Sequence, residues 1–376
     1  MRPRVFVLAA GRSIIAPRGG GLAHLDEAWL GAGLIQVLLK EAKVKPEDLG
    51  GLLVGNALAA GGNPARRLGL ALGLGQETMC LSIDSQCCSG LDAIGLGMAV
   101  IRAGSHHLVV AGGVESSSKA PLRQWPARDL HPGWRQAPFT PWPHDDPDMV
   151  TAALRLAETR GISSQLQYNW AVQSHNLARR NKDPSLRAIA DLALEKDPHT
   201  RALTIETCRR AERSKPHNPT TMAPLADGAA FLILASEFYL KQHSAQERLL
   251  TSITELCDHK AIAGDHQMPG LACGKLKPWL LGQLQAQEGW QGRFKVELME
   301  SFAAQAIANV EDLNLDAGEV NAWGGMLACG HPIGASGAVL AARLFHRLSP
   351  GECGLAVIPA AGGLASGLFA RCHTFS

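Results

Sequence analysis

Apolar residues fall along the chain in short runs that alternate with longer stretches of helical spacing. Residues 5–9 are apolar and the run closes at Gly11, which predicts a buried strand. Residues 25–40 carry apolar side chains at helical intervals. Asp26 and Glu27 stand in that first turn, where carboxylates suit the positive end of the helix dipole. Apolar runs at 52–54 and 80–83 predict further strands. Residues 87–102 return to helical spacing and stop at Gly104, and residues 108–111 form an apolar run bounded by Gly112 and Gly113. Strands alternating with helices predict an α/β fold, a central sheet covered by helices.

The pattern breaks between about residues 119 and 224. Trp125, Trp134 and Trp142 lie among prolines, and basic residues recur at Arg179, Arg180, Lys182, Arg209, Arg210, Arg213 and Lys215. This stretch reads as an insertion, and strand character returns at 229–235. From about residue 249 the order restarts: strand 250–256, helix 280–287, strand 294–298, helix 302–311, a glycine-rich turn from Gly324, helix 335–348 and strand 355–358. Gly362 and Gly363 close that last strand as Gly112 and Gly113 close its counterpart. The chain therefore reads as two similar α/β halves. The first comprises 1–118 and 225–247, the insertion 119–224, and the second half 248–376. A repeat this long is a duplicated half and not a solenoid.

Composition narrows the function classes. Of 376 residues, 46% are hydrophobic and 19% charged, which fits a globular protein. The net charge of +2 gives no bulk attraction to nucleic acid or to a membrane surface, and neither is expected as a partner. The opening apolar run is too short for a signal segment or a bilayer span, and no later run is long enough to span. The expected setting is cytoplasmic. Nine cysteines, an odd number with no framework spacing, read as reduced thiols. No Cys-x-x-Cys pair occurs, so no metal site is assigned.

Some stretches carry chemistry. Cys87 follows a predicted strand and opens a predicted helix, where the positive helix end favours a thiolate. The competing reading is an inert buried cysteine. His331 lies in a glycine-rich loop, "ACGHPIGASG", ahead of a helix. A histidine held there can donate to a developing oxyanion, or it can be an ordinary surface loop residue. The loop has no Gly-Lys-Ser/Thr ending, which disfavours a P-loop, and Gly324-Gly325 lacks the third glycine of a dinucleotide fingerprint. The turn "AAGGLASG", residues 360–367, offers backbone amides that could line an anion hole, or it is a plain inter-strand turn.

Together these stretches resemble the thiolase superfamily over nearly the whole chain. "CCSGLDA" (87–93) looks like its nucleophile motif Cys-x-Ser-Gly-Leu-x-Ala. "GGVESSSKAP" (112–121) is similar to its Gly-Gly-Met-Glu-Ser stretch, "MESFAAQ" (299–305) to Asn-Glu-Ala-Phe-Ala-Ala-Gln, and "GHPIGASG" (330–337) to its histidine motif. The resemblance implies a duplicated αβαβα five-layer fold with a loop domain inserted in the first half. It implies an acyltransferase of acetyl-CoA C-acyltransferase type, acting in fatty acyl or ketoacyl metabolism. Cys87 would be acylated by an acyl-CoA and His331 would activate it. The amides of Cys87 and Ala361 would form an oxyanion hole. Met149, Leu225, Ser301 and Phe302 would contact substrate, and basic residues of the insertion would meet the phosphates. Coenzyme A would be a substrate, with no covalently bound cofactor. A homodimer, or a homotetramer of paired dimers joined through the sheet edge of the first half, is implied as well.

Other positions depart from the family pattern. The second catalytic cysteine, which moves the α-carbon proton, is here Pro359. The asparagine that orients a water is Met299. The histidine that often precedes Met-Gly is Asp148, and the serine that contacts pantetheine is Ala223. Pro359 and Met299 strike carbanion formation and spare acylation of Cys87. Three readings follow: a thiolase-type acyltransferase with a base from elsewhere, such as Cys329; an acyltransferase or condensing enzyme that needs no α-proton removal; and a silent thiolase-like binding protein.

Overall fold

The structure is a computed structural model in which residues 3–124, 133–134, 137–189, 192, 194–214, 217–243, 252–287 and 294–374 are described. Trp125, Lys215 and the predicted strand start at 250–251 lie outside them. The strands are β1 (Val5–Arg12), β2 (Ala16–Pro17), β3 (Gly51–Gly55), β4 (Met79–Ile83), β5 (Leu108–Ser116), β6 (Ala226–Ser236), β7 (Ser252–Ala263), β8 (Phe294–Leu298), β9 (Cys353–Ala360) and β10 (Leu364–Thr374). They run in the order β4-β3-β5-β6-β1-β7-β10-β9-β8, with β2 beside β6.

The duplication is visible in that order. With the two-residue β2 left aside, each half, followed outward from the β1/β7 junction, places its first strand, then its last, then the strand before that, then its second strand. The last two strands of each half pair antiparallel, β5 with β6 and β9 with β10. The second strand pairs parallel in each, β3 with β5 and β8 with β9. The fifth place, filled by β4 in the first half, is marked in the second only by a bridge between Val296 and Val320.

Two helices lie between the halves. Ser89–Arg102 touches β3, β5 and β6 on one side and β7 and β10 on the other; Ser336–Arg347 likewise touches strands of both halves. The first reads SGLDAIGLGMAVIR, apolar nearly all round, as a helix covered on both faces must be. Glu27–Ala42 and Pro64–Ala71 cover the outer face of the first half. Lys277–Gln285 and Ala303–Leu313 cover the outer side of the second. The layers are therefore α-β-α-β-α, as expected.

Boundaries differ from the sequence reading where caps decide them. Asp26 is the N-cap of the first helix, accepting from the Trp29 amide at 3.1 Å, so that helix begins at Glu27. The central helix begins at Ser89 and not at Cys87, with Cys88 as its N-cap. The short helix Pro64–Ala71, capped by Asn63, lies in a stretch where no element was predicted.

The inserted stretch is helical, with Met149–Thr159, Ser164–Arg180 and Ile205–Ser214. Met149–Thr159 and Ser164–Arg180 pack on elements of the second half, and Ile205–Ser214 packs on Ser164–Arg180. Buried Glu300 ties them down, accepting from Trp170 Nε1 (3.1 Å), Ser174 Oγ (2.7 Å) and Asn321 Nδ2 (2.9 Å). A buried ion network adds to this. Arg12 of β1 and Arg343 of the second central helix both bind Asp183, each at 2.8 Å, and Arg12 also binds Asp197. Removing one member would strand a buried charge, at a cost of about 3–5 kcal/mol. These ties fix the insertion over the junction of the halves, where a cleft opens. Among the described residues no helix is long and apolar enough to cross a membrane.

Candidate functional site

Cys87 sits on the turn between β4 and the first central helix. Gln86, just before it, has φ of +56°, a left-handed conformation that costs a non-glycine residue about 1 kcal/mol. Asp84 holds it there, accepting from the Gln86 amide at 2.9 Å. Ser89 Oγ donates to the Gln86 carbonyl and accepts from the Ser85 amide. This bend turns Cys87 into the cleft and Cys88 the other way. Cys88 is 1% exposed, with its thiol toward the Ile358 carbonyl.

The second half supplies His331 from the loop ahead of its own central helix. Its Nε2 lies 3.2 Å from Cys87 Sγ, and its Nδ1 lies 2.7 Å from Ser336 Oγ. The Ser336 hydroxyl donates to the Pro332 carbonyl, which can only accept. It therefore accepts from His331 Nδ1–H, and this leaves Nε2 unprotonated toward the thiol. Burial depresses the His331 pKa to about 3 and lifts the Cys87 thiol to about 12, the latter partly offset by the amides of Ala361 and of Cys87 itself. The resting pair is a neutral thiol against a neutral imidazole.

The amide of Ala361 is delivered by a turn in which Gly362 and Gly363 have φ of +76° and +79°. A Cβ on Gly363 would come within 2.8 Å of the Asp265 backbone, so the turn needs glycine there. The His331 loop is held from below by Glu115 of β5, a fully buried carboxylate. Its Oε2 accepts from the amides of Gly334 (2.8 Å) and Ala57 (3.0 Å). Its Oε1 accepts from Asn56 Nδ2 (2.9 Å) and the Leu58 amide (3.2 Å). Burial raises its pKa to about 7 against the pull of the Ala57, Gly334 and Leu58 amides. Gly113, on the same strand, would meet the Gly334 carbonyl at 2.2 Å if it carried a Cβ, so the loop lies directly on β5.

The cleft has a volume of about 1040 Å³. The structure brings Cys87, His331, Ala361, Met149, Leu225, Ser301 and Phe302 together on its walls, with Pro359 and Ala223. Asp148 also lines it, but its carboxylate caps the Met149–Thr159 helix, accepting from Val150 N, Thr151 N and Thr151 Oγ1. Met299 is fully buried in the central core and is not among the lining residues. Cys329 does not serve as a base here. It is 1% exposed, faces the Gly325 carbonyl and the Met326 sulphur, and burial raises its thiol to about 12. The insertion's Arg179, Arg180, Lys182, Arg209, Arg210 and Arg213 are exposed and none lines the cleft. Among the described residues no group of His, Cys, Asp and Glu could hold a metal ion.

The model of the thiolase N-terminal domain matches residues 5–238, and that of the thiolase C-terminal domain matches residues 288–371. The chain belongs to the thiolase family. A protein of Staphylococcus aureus (strain MRSA252) named "Putative acetyl-CoA C-acetyltransferase VraB" is 30% identical over 395 residues, covering 98% of this chain and 99% of that protein. The crystal structure of the Bacillus anthracis acetyl-CoA acetyltransferase matches with a TM-score of 0.86 at 26% identity, over 99% of each chain. Human mitochondrial 3-ketoacyl-CoA thiolase in complex with CoA matches with a TM-score of 0.86 at 25% identity, over 100% of this chain and 98% of that one. For a thiolase-family chain, Ser336 and Glu115 are the site residues that sequence reasoning left without a role. Both stand inside motifs it singled out, and only the fold shows what they touch.

Proposed function

We propose that this thiolase-family acyltransferase takes an acyl group from an acyl-CoA onto Cys87. The observation that carries the reading is the Cys87 Sγ to His331 Nε2 approach of 3.2 Å, with the imidazole tautomer set by Ser336. The thiol proton passes to His331 Nε2 as sulphur attacks the thioester carbonyl. The oxyanion forms beside the amides of Cys87 and Ala361. The tetrahedral intermediate collapses, the coenzyme A sulphur leaves with the proton held on His331, and a thioester to Cys87 remains. Met149, Leu225, Ser301 and Phe302 contact the bound thioester, with the 119–224 insertion forming the coenzyme A side.

The second half-reaction divides two readings. Transfer to a carbon nucleophile needs a base at the α-carbon. Pro359, which has no titratable group, stands on the cleft wall where the family's second cysteine is expected. This favours transfer to an acceptor that needs no α-proton removal, such as a thiol, amine or hydroxyl, or a donor that decarboxylates. The assembly we propose is a dimer across the β4 edge. Among the described residues that strand has no neighbour on its outer side, and Leu81 on it is 44% exposed. Intact mass spectrometry with a panel of acyl-CoAs, followed by peptide mapping, tests the function. Acyl adducts on the Cys87 peptide are expected, and a protein that takes up no acyl group from any donor would refute it.

A further inference from the structure

The cleft carries a cation that the sequence did not single out. Among the described residues, Arg18 is the only arginine or lysine lining it. Arg18 follows β2 and is exposed, and no carboxylate among the described residues lies within ion-pair distance of it. Asp227 feels the Arg18 charge, and its two oxygens accept from Ser118, at 2.8 Å from the amide and 2.5 Å from the hydroxyl.

The backbone under Arg18 is pinned on every side. Its amide donates to the Leu225 carbonyl at 2.8 Å, the Gly19 amide donates to Ser118 Oγ at 2.8 Å, and the Gly20 amide closes a turn onto the Pro17 carbonyl at 2.8 Å. Leu225 is itself bridged to His331. Arg18 therefore stands two strand spacings from His331, about 10 Å backbone to backbone. A cation whose backbone is held at that distance, on the wall of a mostly apolar cleft, can reach an anion carried by the same molecule that reaches Cys87.

We infer that Arg18 binds an anionic oxygen group of the thioester that occupies this cleft. The inference rests on the proposed acyl-CoA reading of the site. The shared chemistry, a guanidinium fork to phosphate or carboxylate oxygens, has two sources. One is a phosphate of coenzyme A. The other is a carboxylate at the far end of the acyl group. This role differs from the sequence expectation, which gave the phosphates to the basic residues of the insertion.

The test compares the natural protein with Arg18→Ala, using Lys40→Ala as a control that is exposed on the outer helix and away from the cleft. The kcat/KM for acylation of Cys87 is measured with acetyl-CoA, acetyl-pantetheine and glutaryl-CoA. Binding of coenzyme A, pantetheine and glutaryl-CoA is followed by calorimetry. With a phosphate as ligand, Arg18→Ala lowers the acetyl-CoA to acetyl-pantetheine ratio about tenfold. With a carboxylate, it lowers the glutaryl-CoA to acetyl-CoA ratio by a similar factor. The assignment is overturned if neither ratio nor affinity moves by more than about twofold, or if Lys40→Ala moves them as far. Failure of every thioester to acylate the natural protein would instead refute the proposed function, and calorimetry would still decide Arg18.

Discussion

Two stretches of the cleft wall are differently equipped. In one, Cys87 and His331 come from the two halves, each from the turn or loop ahead of its central helix. They meet with a fixed tautomer, two amides and a buried carboxylate underneath. The stretch of wall beside it, two residues before Ala361, carries Pro359, with Met299 withdrawn into the core. The first stretch is equipped for acyl transfer. In the second, neither Pro359 nor Met299 has a titratable group to hold a proton at an α-carbon. Under the proposed function, acylation and carbanion formation should be separable, and mutations can address each stretch alone.

The largest expected effect is on the first stretch. Cys87→Ala should lower acyl loading about 10⁴-fold or more, the scale of losing a nucleophile. Cys88→Ala should load normally and lose only about 1 kcal/mol of stability, measured by chemical denaturation, because its side chain fills core. Loading that survives in the first variant and vanishes in the second would reverse their roles. Next comes His331→Ala, expected to slow acylation by roughly 10²–10³-fold in single-turnover kinetics. An unchanged rate would reduce His331 to a structural loop residue.

The Pro359 stretch should respond with a gain. Loss of a positioned acid/base typically costs 10²–10⁴-fold, so exchange of α-deuterium from acetyl-CoA should be slow in the natural protein. Pro359→Cys, alone and with Met299→Asn, should raise that exchange about tenfold, a partial recovery of the loss. No gain in either variant would mean the wall lacks more than these side chains.

The smallest effect concerns pH. His331 stays neutral down to about pH 3, and the Cys87 thiol stays protonated up to about 12, so neither should titrate in the neutral range. Glu115 accepts four N–H groups as a carboxylate and has a pKa raised to about 7 by burial. Protonating it as pH falls through 7 places an O–H against an N–H and loosens the His331 loop. Acylation should fall several-fold on that acid limb. Glu115→Gln should be slower at pH 8 and should lack the limb. A limb that persists in Glu115→Gln belongs to another group.

Much of the first stretch was legible in the sequence, and for a physical reason. Cys87, His331 and the Ala361 turn sit in short contiguous motifs whose small residues the backbone demands, at Gly113 against Gly334 and at Gly363 against Asp265. The two-half order was legible because buried strands are apolar on both faces. The insertion's helices were not. Ile205–Ser214 reads IETCRRAERS and is mostly polar, so its helical character shows only in packing. Arg18 and the proton on His331 Nδ1 depend on residues far apart in the chain, and no local pattern encodes them. Asp148 was read as a lost histidine, and the structure uses it as a helix cap.

One experiment addresses both stretches at once. The protein is incubated with acetyl-CoA fully deuterated on its methyl group, and the Cys87 peptide and the remaining thioester are both weighed by mass spectrometry. The account predicts a fully deuterated acetyl group on Cys87, with the label retained in the unreacted acetyl-CoA over many turnovers of loading. An adduct on Cys88, or a thioester pool that loses its deuterium to solvent as fast as Cys87 is acylated, would contradict it.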